Sequence, residues 1–86
     1  MNRVADDAPA SAPTWRLEHR SVTVRGVQRP MRLVRFARGW IVSVDTTSGP
    51  TLGVDRSPYL AAARALEPLG VGLVDAMAVV RGIEEA

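Results

Sequence analysis

Hydrophobic and polar residues alternate along much of the first two thirds of the chain, which predicts β-strands. Between Thr14 and Val24 the apolar positions change phase, because the first are odd-numbered and the last are even-numbered. A β-bulge near Arg20 and Ser21 would return both sets to one face of a sheet. The segment therefore predicts a first strand with a break in the middle.

The residues from Arg25 to Pro30 include glycine and proline and predict a turn. Met31 to Ala37 then reads as a second strand. A short helix is the alternative, because Pro30 suits a first helical position and apolar residues recur at helical spacing as far as Trp40.

A third strand is predicted over Trp40 to Asp45, where the alternation is most regular. The next residues, as far as Pro50, are rich in Asp, Thr, Ser and Gly, which turns favour. Thr51 to Val54 could then add a short fourth strand.

Two helices are predicted in the last third of the chain. Ser57 can cap a helix that begins at Pro58 and ends near Leu66, before Pro68 and Gly70. A second helix, Leu73 to Val80, is apolar nearly all round, so it must be covered on more than one side. Packing between the sheet and the first helix would do this, and so would a second copy or another protein. The predicted interface residues are Leu73, Met77, Val79 and Val80.

Together these elements predict an α+β domain, with a three- or four-stranded antiparallel sheet followed by one longer and one short C-terminal helix. The domain is expected to span residues 14–86 and to follow a disordered tail, residues 1–13, which is rich in Ala, Pro and Asp. The chain shows no signal-peptide pattern and no apolar run of about 20 residues, which predicts a cytoplasmic protein without a membrane partner.

Catalysis is disfavoured by what the composition lacks. The chain has no cysteine and one histidine, His19, and its carboxylates are scattered rather than paired at ligand spacing. It also has no lysine, so a lysine-containing phosphate loop is excluded. The sequence therefore predicts a non-enzymatic protein with no catalytic residue, no metal site and no cofactor.

Charge is divided unevenly along the chain. Seven arginines and only Glu18 lie between residues 16 and 38, whereas residues 39–86 carry three arginines and six acids. A track of arginines can bind DNA or RNA phosphates, and an exposed aromatic ring can stack on bases. The predicted nucleic-acid site consists of Arg25, Arg29, Arg32, Arg38 and Trp40. The alternative is a solvated sheet whose arginines cover apolar surface and whose aromatic residues lie in the core.

Short stretches of the chain resemble two families. Arg25-Gly26-Val27, Trp40 to Val44, Leu52-Gly53 and the alanines of residues 61–65 resemble, in order, motifs of APETALA-type DNA-binding domains, although the spacing from Val27 to Trp40 is longer here. In that family a sheet bearing arginine and tryptophan meets the DNA major groove, which implicates Arg25, Arg29 and Trp40. Residues 39–42 with the alanine-rich helix also resemble HicB-type antitoxins, which implies a toxin-covering module. The expected partners are thus DNA or RNA, with a homodimer or a small protein partner.

Overall fold

The computed structural model describes residues 16–83, which form a four-stranded antiparallel sheet followed by two helices. Each strand pairs with the strand before it, so the sheet is a meander. This arrangement confirms the predicted α+β fold. The predicted tail, residues 1–13, lies outside the described residues. The elements are β1 (Arg16–Val24), β2 (Val27–Phe36), β3 (Gly39–Val44), β4 (Thr51–Asp55), α1 (Pro58–Leu66), a short 3-10 helix (Glu67–Leu69) and α2 (Leu73–Val79).

The first strand runs without a break, so the predicted bulge near Arg20 and Ser21 is wrong. β1 pairs with β2 residue by residue, from Arg16 opposite Arg35 to Val24 opposite Val27. The change of phase has another cause, since Leu17 lies on the sheet face away from the helices and remains 57% exposed. We call this side of the sheet the open face.

A two-residue turn, Arg25 and Gly26, joins β1 to β2. Both residues have positive φ, +52° and +79°, which matches the turn whose twist suits two antiparallel strands. β2 therefore begins at Val27, earlier than predicted, and it includes Met31 to Phe36 as a strand, so the helical alternative is wrong. Pro30 lies just beyond Met31, the last residue of β2 that pairs with β3, so its missing N–H leaves no gap in that ladder. Its carbonyl accepts the Asp45 N–H at 3.0 Å.

The hydrophobic core lies between the sheet and the helices. Alternate residues of the strands enter it, and the small side chains of α1 allow that helix to lie close against β3 and β4. At Gly53 the approach is so close that a Cβ atom would overlap the Ala61 carbonyl oxygen and lie 2.6 Å from the Ala65 nitrogen. The buried hydrophobic residues are Val22, Met31, Leu33, Trp40, Val42, Val44, Ala61, Ala62, Ala65, Leu66, Ala76, Val80 and Ile83.

The first helix has the bounds predicted for it, Pro58–Leu66, and begins at the predicted cap. The Ser57 hydroxyl accepts hydrogen bonds from the N–H groups of Tyr59 and Leu60, at 3.2 and 3.5 Å. A 3-10 turn extends the helix, and Gly70, at φ +81°, ends it. No helix among residues 16–83 is long and apolar enough to cross a membrane.

We expect Ser57→Ala to lower the free energy of unfolding by about 1 kcal/mol, because two N–H groups at the start of α1 lose their acceptor. Urea denaturation followed by circular dichroism would measure the change. Ser57→Asp should retain most of the stability, since a carboxylate can accept the same hydrogen bonds. An equal loss in both variants would contradict the capping role.

Candidate anion-binding site

The arginines predicted to form one nucleic-acid surface do not converge. Arg25 and Arg29 lie at the end of the sheet that carries the β1–β2 turn, beside the loop that joins β3 to β4. Arg38 lies at the opposite end, in the turn between β2 and β3. The ten residues of β2 separate these two ends by about 30 Å. The predicted residues therefore do not share one compact site.

Arg32 faces a different direction from the other predicted arginines. It lies on the open face, where its guanidinium donates to Asp45 Oδ1 at 3.2 Å. Its charge is therefore largely compensated within the protein. Both groups are about half exposed, so this ion pair adds little stability.

Trp40 is not available for stacking on a base. Only 4% of its surface is exposed, because its side chain points from β3 toward the helices and joins the core. The prediction of Trp40 as a nucleic-acid-binding residue is therefore corrected. The alternation of β3 determines this result, since Trp40 shares its face with the buried Val42 and Val44.

Three arginines do line one cleft, at the end of the sheet where β2 ends and β3 begins, and Arg38 is the only one of them in the predicted site. Arg35, Arg38 and Arg56 line one open cleft of about 800 Å³, and all three are exposed. We call these three residues the arginine corner. β2 supplies Arg35, the β2–β3 turn supplies Arg38, and the residue after β4 supplies Arg56. Gly39 and the edge of Trp40 also line the cleft.

The corner keeps its positive charge because the nearest acids are already paired. Asp55 accepts the Ser57 N–H at 3.1 Å and the Arg64 Nε–H at 3.2 Å. The first of these bonds, supported by Arg64, lowers the pKa of Asp55. Glu18 pairs with Arg16 at 2.8 Å. Within residues 16–83, no carboxylate forms an ion pair with any arginine of the corner.

Such a group of guanidinium ions is suited to phosphate oxygens. A guanidinium offers up to five N–H donors in a planar fork, and two of them can bind one phosphate group. Three separate segments contribute these side chains to one cleft, so an anion in the cleft could contact more than one guanidinium group. No group of three or more metal-binding side chains occurs in the part of the chain that the structure describes.

Sequence reasoning identified one member of the corner, Arg38, and missed the other two. Alternation along β2 puts Arg35 on the face that it shares with Met31 and Leu33, but alternation alone does not show which residues of other strands lie beside it. Strand pairing shows them, because Arg35 lies opposite Trp40 and Trp40 lies opposite Asp55, the residue before Arg56. The register of β3 and β4 is the signal that could have found Arg56.

The predicted interface residues of the last helix have different environments. Leu73 and Met77 are 54% and 38% exposed and remain available to a partner, whereas Val79 is half-buried against the core. Val80 is fully buried, because it lies four residues after the buried Ala76, on the face of α2 that joins the core. Val80 is therefore a core residue, which corrects its prediction as a contact residue.

No protein-family model, curated protein or solved structure matches the chain. The resemblances to APETALA-type domains and HicB-type antitoxins therefore stay expectations from short motifs.

Proposed function

We propose that this protein is a non-enzymatic module that binds nucleic acid through the arginine corner. The observation that carries the proposal is the convergence of Arg35, Arg38 and Arg56 on one open cleft, where no described acid neutralises them. Phosphate groups are the common anions that such a cluster binds in pairs or rows along a strand. The arginines at the other end of the sheet would add only long-range attraction, which salt screens.

A single strand fits this cleft better than a duplex does. Phe36 is half-buried and lines the same cleft as the three arginines. An unpaired base can stack on such an aromatic ring while its phosphates contact guanidinium groups, whereas the bases of a duplex are already stacked. Because no residue of the corner distinguishes ribose from deoxyribose, single-stranded RNA and DNA belong to the same ligand class here.

Fluorescence anisotropy with labelled single-stranded oligonucleotides tests the proposal. We expect the wild-type protein to bind, with the logarithm of affinity falling by about 2 per tenfold increase in salt, as three phosphate contacts require. The double variant R35Q/R38Q should bind at least about tenfold more weakly and show a smaller salt dependence, since each arginine makes a charge-assisted contact.

The matched control is R25Q/R29Q, which removes the same charge from the opposite end of the sheet. This variant should bind almost as well as the wild type. Equal losses in the two double variants would show that binding follows net charge alone, and they would contradict the corner as the site. If the wild type binds neither DNA nor RNA at low salt, the proposed function is wrong.

A further inference from the structure

The open face of the sheet carries an apolar strip where polar residues would be expected. Leu17, Val34, Ile41 and Val54 are direct partners across the four strands, one from each strand. We call these residues the aliphatic row. Leu17 and Val54 are 57% and 54% exposed, and Leu52, two residues before Val54 on β4, is 64% exposed.

An antiparallel sheet that faces water on one side normally alternates apolar and polar residues between its two faces. Here the rows on both sides of the sheet contain large apolar side chains. Neighbouring side chains in such a row lie about 5 Å apart, so the four residues form a continuous strip about 15 Å long. The helices cover the other face of the sheet, so within residues 16–83 nothing shields this strip.

Charge on the open face favours a second copy of the chain as the occupant. The Arg32–Asp45 pair neutralises itself, and His19 is the only other titratable group that the strands place there. Two identical faces can therefore approach without like-charge repulsion. The arginine corner would repel its own copy, but none of its arginines lies on the open face. Arg35 is on the face that the helices cover, and Arg38 and Arg56 lie outside the strands.

The geometry also suits a symmetric pair. Two copies can be related by a twofold axis that lies in the plane between their open faces. If this axis is parallel either to the aliphatic row or to the strands, the aliphatic row of one copy lies against that of the other. The four strands present a footprint of about 480 Å² per copy. If the two faces overlap fully, the two copies together cover about twice this footprint, which is close to the roughly 1,000 Å² that a specific interface needs.

From these observations we infer that the protein forms a homodimer by packing the open faces of two sheets against each other. The interface uses the sheet rather than α2, the element for which the sequence predicted self-association. The aliphatic row forms the centre of the interface, and the polar side chains near the β1–β2 turn form its rim. This inference does not depend on nucleic-acid binding, because the arginine corner contributes nothing to the contact.

Sedimentation of the full chain between about 1 and 200 µM tests the inference. We expect a dimer that L17K/V54K weakens at least about 100-fold, since the two exposed positions would place charges inside an apolar contact. The matched control L73K/V74K adds the same charges to α2, where the two side chains are 54% and 79% exposed, and should leave the dimer unchanged. Circular dichroism would verify that both variants fold.

Cysteine labelling tests whether a second copy covers the open face. The chain contains no cysteine, so a single introduced cysteine is the only thiol that can react. In V54C the thiol should react with a maleimide more slowly as protein concentration rises, whereas in V74C the rate should not change. Three outcomes would overturn the inference: a monomeric wild type at every concentration, a dimer broken only by L73K/V74K, or a V54C thiol protected equally in dilute monomer. The last would mean that another part of the same chain covers the face.

Discussion

The variant Gly53→Ala is expected to lose about 3 kcal/mol or more of its free energy of unfolding, and its melting temperature should fall by about 12 °C or more. The added methyl group would overlap the Ala61 carbonyl and approach the Ala65 nitrogen within 2.6 Å. Both atoms belong to the backbone of α1, so no side chain can rotate away. The helix must move off the sheet and expose part of the core. Urea denaturation measures the loss.

Gly72→Ala is the matched control for this prediction. Gly72 precedes α2 with a φ of −71°, and no atom lies within 4 Å of the position that its Cβ would occupy. The change should alter stability by less than about 1 kcal/mol. A small effect at both glycines would mean that α1 does not pack against β4 as closely as described.

The second large effect is expected from Trp40→Ala, which should reduce the free energy of unfolding by about 3 to 5 kcal/mol because it removes a large buried side chain. The milder variant Trp40→Phe should remain folded, at a cost of about 1 kcal/mol or somewhat more. If Trp40 serves only the core, Trp40→Phe should bind oligonucleotides as tightly as the wild type does. Anisotropy measured well below its melting temperature would test this.

Phe36→Ala provides the comparison for the tryptophan variants. Phe36 lines the arginine cleft with part of its ring accessible, so its loss should weaken binding by about 1 kcal/mol or more through lost stacking. Substitution of Trp40 should thus lower mainly the stability of the fold, whereas substitution of Phe36 should lower mainly the affinity for oligonucleotides. If a folded Trp40→Phe variant binds oligonucleotides tenfold more weakly than the wild type, Trp40 does contact the nucleic acid.

The predictable parts of the fold are those that short stretches of sequence determine. The bounds of α1 follow from Ser57 and Pro58 at its start and from Pro68 beyond its end, all within a few residues of the affected backbone. The strand character of β2 follows from alternation in the same way. The length of its turn was less predictable, because positive φ at Arg25 is uncommon for a residue other than glycine.

The phase of β1 could not be read from the sequence, because both faces of the sheet carry apolar residues. Alternation reveals which residues share a face, but it identifies the buried face only when the other one is polar. Alternation alone places Leu17 and Val22 on opposite faces, and a bulge is predicted only if both are to share one face. The same apolar open face that misled this interpretation is the surface inferred to form the dimer.

The arginine corner depends on distant parts of the chain. Arg38 and Arg56 approach each other only because β3 and β4 are paired in one particular register, which brings the residue after β4 beside the start of β3. Gly39 permits this approach, since a Cβ atom there would lie 2.5 Å from the Asp55 carbonyl oxygen. Composition revealed an excess of arginine, but it could not select the three that converge.

The meander order of the sheet has a consequence for the rate of folding. Every strand pairs with the strand that precedes it, and α1 packs against β3 and β4, the strands that precede it most closely. Most contacts therefore join parts of the chain that are near each other in sequence, and such small domains fold within about milliseconds to a second. We expect refolding after dilution from urea to be a first-order process, with association of two copies following as a slower phase that depends on concentration.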